Sequence, residues 1–155
     1  MRLWHQQLIH HLDRQRLLGQ HRECCALRGK GWGRKHATVD YAFNYPMEAL
    51  IAYHRLVMRE MVSRGYHPDP KWLNPSYRGE AMGLDAAIST DLVVDMFWAA
   101  RDHDILLYKE HNEDYFNECV RLLEEKKAEV NLAGVYWNNN KFYSKERTEV
   151  IKNEN

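Results

Sequence analysis

The stretch Gly19–His36, GQHRECCALRGKGWGRKH, concentrates side chains that can do chemistry. Five basic residues surround a single acid, Glu23, and two adjacent cysteines and two histidines lie in the same stretch. Such a set could hold a metal ion, carry a nucleophilic thiol, or present a catalytic carboxylate on a surface that binds phosphates. The spacing of the residues discriminates among these three chemistries.

A metal site is not expected in this stretch. The sequence contains neither a C-x2-C pair nor an H-E-x-x-H motif, which are common zinc-binding spacings. His21 shares a helical face with Leu17 and Leu18, so we expect a histidine at the edge of the core that is hydrogen-bonded to backbone. No metal and no cofactor are predicted.

The thiols are also not expected to be catalytic. Cys24 and Cys25 follow Leu17 and Leu18 at i, i+3/4, i+7 spacing, which predicts an apolar stripe. Neither cysteine lies in a motif with a positioned base, so both are interpreted as small core residues. With three cysteines in the chain, reduced thiols and a cytoplasmic location are expected.

Glu23 lies nearly opposite His21 on a helix, away from the predicted core stripe. Gly19, one turn earlier, leaves room for another molecule to approach. Two interpretations stay open from the residues alone. The carboxylate could belong to an exposed ion-pair network with nearby arginines, or it could be a catalytic acid/base beside bound phosphates.

Charge is unevenly distributed along a chain whose net charge is zero. Residues 1–36 contain eight Lys/Arg and two acids, whereas residues 37–130 contain ten bases and seventeen acids. The basic block could bind phosphates or could dock on the acidic half of the chain, and charge alone does not decide between them. No apolar run approaches the ~20 residues of a membrane span.

The length of 155 residues and the positions of glycine, proline and helix-capping residues predict a mostly α fold. We expect a single compact helical domain with long ordered loops. Asp13 and Gly29 bound a first helix from Arg14, and Pro46 and Gly65 bound a second. The other expected elements are a loop over 67–83, helices from about Ser89 towards Ala100 and from Asn112 to Lys127, and one short strand candidate, ATVDYAF at 37–43.

Several motifs follow one another over about the first eighty residues: Gln15, Leu17, Arg22 and Glu23, then Gly33, Arg34, Lys35 and His36, then Arg64-Gly65-Tyr66 and Tyr77-Arg78-Gly79. Their order and spacing resemble those of a known family, the phage-type pyrimidine-dimer DNA glycosylases with abasic-site lyase activity (ultraviolet-repair endonuclease V). The tail VYWNNNKFY is loosely similar to the aromatic tail of the family.

The resemblance implies a helical enzyme that binds duplex DNA as a monomer. In the family, the N-terminal α-amino group attacks C1′ of the damaged nucleotide, the base leaves, and a Schiff base forms. The glutamate matching Glu23 stabilises the intermediate and assists the proton removal that leads to strand cleavage. The residues expected to contact DNA are Gln15, Arg16, Arg22, Arg34, Lys35 and His36.

The chain departs from the family pattern at its N-terminus. The family has a small second residue, whereas this chain has Arg2, so Met1 is expected to stay and to supply the amine. Met1, Arg2 and Glu23 are therefore the candidate catalytic residues. Ala26 replaces a basic residue of the family, and Arg28 is the expected substitute.

The expected function is therefore DNA repair by a glycosylase acting on a damaged or modified pyrimidine, with no membrane association. Whether the lyase step survives is left open. The alternatives are a non-catalytic nucleic-acid-binding protein and a protein-interaction module on the same fold. Within the single domain we expect a family-like core at 1–83, a divergent helical insertion at 84–130 and an aromatic, basic tail at 131–155.

Overall fold

The computed structural model describes residues 1–126, 128, 130, 132, 135, 137, 141–144 and 149–152. The fold is mostly α, as expected. Its elements are α1 (Arg14–Arg28), α2 (Met47–Ser63), α3 (Thr90–His103), α4 (Glu113–Glu125) and a ribbon of β1 (Lys141–Ser144) and β2 (Glu149–Lys152). Short 3₁₀ helices lie at Gln6–His11, Asp40–Asn44 and Pro70–Leu73.

The helix boundaries follow from local chemistry that the sequence already shows. The side chains of Ser89 and Asn112 accept the backbone N–H groups of Leu92 and Tyr115, which caps α3 and α4. Gly65 follows α2 with φ +84°, a left-handed conformation that glycine adopts without strain. The expected four helices are therefore confirmed.

Three details differ from the expectation. Asp13 precedes α1 as predicted, but its side chain makes no capping hydrogen bond and pairs with Arg16 at 3.3 Å. The segment 37–43 is a turn leading into a 3₁₀ helix and not a strand, and Val39 and Ala42 are buried three residues apart. The ribbon β1–β2, antiparallel with Phe142 opposite Ile151, was not expected.

The core forms where α2 packs between α1 and α3. The main cluster of buried side chains includes residues from the N-terminal segment, all four helices and β1. The buried face of α1 is rotated from the predicted stripe, because Leu18 and Cys25 are only partly buried whereas Leu27 is buried. Buried residues of α1 are Leu17, Gln20, Cys24, Leu27 and Arg28.

No helix in the described part of the chain is both long enough and apolar enough to cross a bilayer. The predicted segment boundaries at 83 and 130 stay predictions. Most of the predicted tail, 131–155, lies outside the described residues, as does the expected helix end at Lys127.

Candidate active site

The first residues of the chain are held in place by side chains from elsewhere in the fold. The Thr38 hydroxyl donates to the carbonyl of Met1. The backbone N–H of Arg2 donates to Oε2 of Glu23 at 3.1 Å, and the Gln20 amide donates to the carbonyl of Arg2 at 2.9 Å. Chain termini are usually loosely held, so this arrangement specifically orders the terminus beside Glu23.

The same pattern continues through the next two residues. The Tyr115 hydroxyl donates to the carbonyl of Leu3 at 2.6 Å, and the Tyr53 hydroxyl donates to the carbonyl of Trp4 at 2.6 Å. The backbone N–H of Trp4 donates to Oε1 of Gln20 at 2.7 Å. The buried side chain of Gln20 is satisfied by these hydrogen bonds to the backbone of the N-terminal segment. They explain why a polar residue lies on the core face of α1.

Glu23 is partly buried and its carboxylate is held from two sides. Oε2 accepts the Arg2 backbone N–H and, at 3.3 Å, the Gln20 amide. Burial raises the pKa of Glu23 above its ordinary value, and the Arg2 N–H and the positive N-terminus partly offset that rise. A carboxylate with a raised pKa can exchange a proton with a substrate more readily than an exposed one.

A cavity of about 470 Å³ opens over Glu23. Its lining brings together all three candidate catalytic residues and three of the six residues expected to contact DNA. The predicted residues in this lining are Met1, Arg2, Gln15, Arg16, Arg22 and Glu23. Gly19 lines the same cavity, and a Cβ added there would lie 3.8 Å from Nη2 of Arg22, so its missing side chain leaves space beside that guanidinium.

The basic groups of this cavity differ in how they are held. Arg16 is bound to Asp13 and Gln15, each at 3.3 Å. Arg22 is exposed and has no hydrogen bond or ion pair to any other described residue. Arg22 is therefore the guanidinium of this cavity that is most available to an incoming phosphate.

The basic triplet at 34–36 lies at a neighbouring cavity instead. Arg34 and His36 line a space of about 510 Å³ that is also lined by Met1 and Trp72. Lys35 is exposed and lines neither of these two cavities. Met1 therefore lies between the cavity over Glu23 and the cavity beside Arg34.

The side chain of Arg2 points away from Glu23 and towards α4. Its Nη1 lies 3.2 Å from Glu118 and 3.4 Å from the Tyr115 hydroxyl. The guanidinium also lies over the rings of Trp4 and Tyr115, at 5.7 and 5.9 Å from their centroids. Arg2 thus takes part in the site through its backbone N–H, and its side chain fastens the terminus to α4.

Sequence reasoning missed several residues of the site. Thr38 holds the carbonyl of Met1, and Lys126, just after α4, lines the cavity over Glu23. Tyr115 and Glu118 come from the segment interpreted as an insertion. A lysine that ends an amphipathic helix was a weak signal for Lys126, whereas nothing local in the sequence marks the other three.

Arg28 is not available to DNA, contrary to expectation. Its side chain is fully buried and donates to the backbone carbonyls of Trp72, Asn74 and Tyr77 at 2.9, 2.9 and 2.7 Å. Burial lowers its pKa to about 10, so the guanidinium stays charged at neutral pH. Arg28 fastens the 72–77 loop to the end of α1 and does not replace the basic residue that the family has in place of Ala26.

A possible metal-ligand cluster, His21, Cys25 and His54, lies at the interface of α1 and α2. His21 is hydrogen-bonded to the ring of His54 at 2.8 Å, and not to backbone as expected. Nδ1 of His54 accepts from Arg28 at 3.1 Å, so the neutral ring carries its proton on Nε2 and donates it to His21.

That donor set fits a hydrogen-bonded chain better than it fits a metal ion. A metal on Nε2 of His54 would require a proton on Nδ1, which would then face the Arg28 donor. Burial also raises the pKa of Cys25 to about 12, which disfavours the thiolate that a metal needs. We therefore assign this cluster a structural role.

Comparison with known proteins agrees with the family suggested by the motifs. Residues 1–74 match the model of a family described as pyrimidine dimer DNA glycosylase. The matched segment contains Met1, Glu23 and every residue expected to contact DNA. The chain has no match among curated proteins or solved structures. Residues 1–74, slightly less than half of the chain, are thus similar to the pyrimidine dimer DNA glycosylase family that the motifs suggested.

Proposed function

We propose that this protein is a DNA glycosylase that removes a damaged or modified pyrimidine from duplex DNA. The N-terminal amine of Met1 is the nucleophile and Glu23 is the acid/base. Cleavage of the strand at the resulting abasic site is a second, separable step of the same chemistry. The family match supports the class of reaction, and the geometry around Glu23 supports the residues.

The single observation that carries the proposal is the ordered N-terminus. The backbone of residues 1–4 is hydrogen-bonded to Thr38, Glu23, Gln20, Tyr115 and Tyr53. A binding protein has no need to order its first residue beside a partly buried carboxylate. An enzyme that uses its terminal amine does, because a nucleophile held near the reacting carbon has less entropy to lose in the transition state.

The reaction balances with groups that this site contains. The neutral amine forms a bond to C1′ as the bond between C1′ and the pyrimidine nitrogen breaks, and the base leaves with that electron pair and a proton. The nitrogen gives a proton to Glu23, the C1′–O4′ bond breaks with its electron pair going to O4′, and Glu23 returns the proton to O4′, which leaves an iminium between Met1 and the opened sugar. Removal of a C2′ proton then expels the 3′ phosphate.

Glu23 is suited to two parts of this sequence. As a carboxylate it stabilises positive charge that develops at C1′, and as a base it accepts a proton from nitrogen or from carbon. The positively charged terminus already interacts favourably with it. The free guanidinium of Arg22 would bind a phosphate of the same strand, and Gln15, Arg16, Arg34, Lys35 and His36 would extend the DNA contact.

The direct test is reduction with borohydride during incubation with duplex oligonucleotides that carry either a pyrimidine dimer or an abasic site. Borohydride converts the iminium to a stable amine, so an adduct is expected whose peptide mass maps to Met1. In Glu23→Gln we expect adduct formation to fall at least about 100-fold, while affinity for the duplex stays within about twofold.

Glu124→Gln is the matched control, since Glu124 is an exposed residue of α4 that does not line the cavity. This variant should trap DNA as well as the parent does. An adduct that maps to a lysine would overturn the assignment of the nucleophile. Duplex binding without any adduct or base release would favour the alternative, a non-catalytic nucleic-acid-binding protein.

A further inference from the structure

A second groove of about 420 Å³ lies between α2 and α3. Its lining shares no residue with the cavity over Glu23. Three arginines line it: Arg55 and Arg59, one turn apart on α2, and Arg101 on α3. No acidic residue lines this groove in the part of the chain that the structure describes.

Two of the three arginines are held in position by aromatic rings. The guanidinium of Arg55 lies 5.1 Å from the ring centroid of Phe97, and that of Arg101 lies 4.8 Å from that of Trp98. Cation–π contacts orient a guanidinium while leaving its N–H groups free to bind an acceptor. The groove therefore presents oriented hydrogen-bond donors.

Few carboxylates compete for these donors. Arg59 is exposed and makes no hydrogen bond or ion pair to another described residue. Arg101 forms one ion pair with a described residue, Asp102, at 3.6 Å, and Glu60 and Asp104 line an adjoining cavity that Arg59 and Arg101 also reach. This cluster of positive charge stands out, because residues 37–130 as a whole carry seven more acids than bases, seventeen against ten.

The same groove also exposes apolar surface. Trp98, Val62 and Leu73 are 46%, 57% and 43% exposed, and all three line it. A duplex presents phosphates to such a groove but keeps the faces of its bases stacked inside. A single strand presents both phosphates and base faces, which match the arginines and the apolar side chains.

We propose that the groove between α2 and α3 binds a segment of single-stranded nucleic acid. Phosphates bind Arg55, Arg59 and Arg101, and a base stacks against Trp98 and the neighbouring apolar side chains. This surface goes beyond the glycosylase site and functions independently of it. The protein would thus hold an unpaired strand while a duplex occupies the cavity over Glu23.

The test measures binding of a fluorescent oligothymidylate of about 12 nucleotides by anisotropy. The protein is first saturated with an unlabelled duplex that carries a stable abasic-site analogue, so the cavity over Glu23 is occupied. We expect the labelled strand still to bind, with an affinity that falls as salt rises. Arg59→Ala/Arg101→Ala should weaken binding about tenfold or more, and Trp98→Ala about fivefold.

Arg121→Ala is the matched control, because Arg121 is an exposed arginine of α4 paired with Glu125 at 2.9 Å. This control should bind the single strand as the parent does, and all variants should keep the parent's circular dichroism and borohydride adduct. Displacement of the strand by the duplex would overturn the proposal. Unchanged affinity in the groove variants, or equal competition by polyglutamate, would overturn it as well.

Discussion

At position 23 a partly buried carboxylate accepts two N–H groups beside the first residue of the chain. The sequence left two interpretations of Glu23 open, an exposed ion-pair network or a catalytic group. No arginine side chain is hydrogen-bonded to its oxygens among the described residues. The geometry thus favours the second interpretation, since the carboxylate is oriented by backbone and amide donors and faces an open cavity.

The pH dependence of the reaction should report this environment. Burial raises the pKa of Glu23, so the carboxylate becomes protonated at a higher pH than an exposed glutamate does. The mechanism needs both a neutral terminal amine and an unprotonated Glu23, so the rate of abasic-site cleavage should fall with decreasing pH. The fall should steepen where Glu23 becomes protonated, at a higher pH than for an exposed glutamate. Single-turnover rates against pH measure this limb.

The limb must be separated from unfolding in acid, so circular dichroism is recorded at each pH. Residual activity of Glu23→Gln should keep the fall caused by protonation of the amine but lack the additional steepening, because glutamine does not titrate. A parent profile with the same slope as that of Glu23→Gln at every pH would contradict a role for the Glu23 carboxylate as a base.

At the scale of elements, α4 makes a contribution that its place in the sequence does not suggest. The helix lies outside the segment 1–74 that matches the family, and the sequence suggested a divergent insertion. In the structure its Tyr115 and Glu118 contact the backbone of Leu3 and the side chain of Arg2. Helix α4 therefore positions the proposed nucleophile without touching the reacting atoms.

Loosening this contact should slow the chemistry more than it weakens binding. Tyr115→Phe removes the donor to the Leu3 carbonyl, and Glu118→Gln removes the charge that holds Arg2. We expect each to reduce kcat about tenfold with KM nearly unchanged, because the terminal amine is less well positioned while the DNA contacts remain. Steady-state kinetics on an abasic-site duplex measure the two constants.

Glu125→Gln serves as the control, since it removes a carboxylate from the same helix without touching the N-terminal segment. Its kinetic constants should match those of the parent. If Tyr115→Phe and Glu118→Gln also behave like the parent, α4 does not position the terminus for catalysis.

At the scale of the whole molecule, three histidines are buried without exposure to solvent: His5, His54 and His111. Nδ1 of His111 accepts the backbone N–H of Gln6 at 3.0 Å, and its Nε2 lies 2.7 Å from the Tyr41 hydroxyl. Burial lowers the pKa of His5 to about 4 and those of the other two well below 6.5. The fold therefore keeps all three rings neutral.

The protein should lose stability in mild acid for this reason. The unfolded chain binds protons at these histidines near pH 6.5, whereas the folded chain takes up the His5 proton only near pH 4, so the free energy of unfolding falls as pH drops between these values. His5 alone accounts for a loss of about 3 kcal/mol. Urea denaturation at several pH values measures the loss.

Replacing a buried histidine gives the comparison that isolates burial. His5→Gln should lose less stability in acid than the parent does, because glutamine takes up no proton when the chain unfolds. A free energy of unfolding that is the same at the two ends of this pH range would show that the buried rings are not kept neutral.

The sequence by itself determined the helices and suggested the family whose model residues 1–74 match. The residues that bound the helices act on backbone groups within one turn, so the local sequence predicts these boundaries. They are Ser89 and Asn112 at helix starts and Gly29 and Gly65 at helix ends. The strand expected at 37–43 was wrong, because Asp40 instead accepts the N–H of His36 at 2.8 Å and turns the chain. Alternation over so few residues does not outweigh such a turn.

Only the tertiary structure decided how the site is assembled and which basic residues it uses. Met1 and Glu23 line the same cavity because side chains of Thr38, Tyr53 and Tyr115, distant in sequence, hydrogen-bond the first four residues. Arg28 is sequestered because backbone carbonyls of a distant loop surround it. Such contacts form only when the helices pack together. They join residues that lie far apart in the sequence, so no local sequence pattern predicts them.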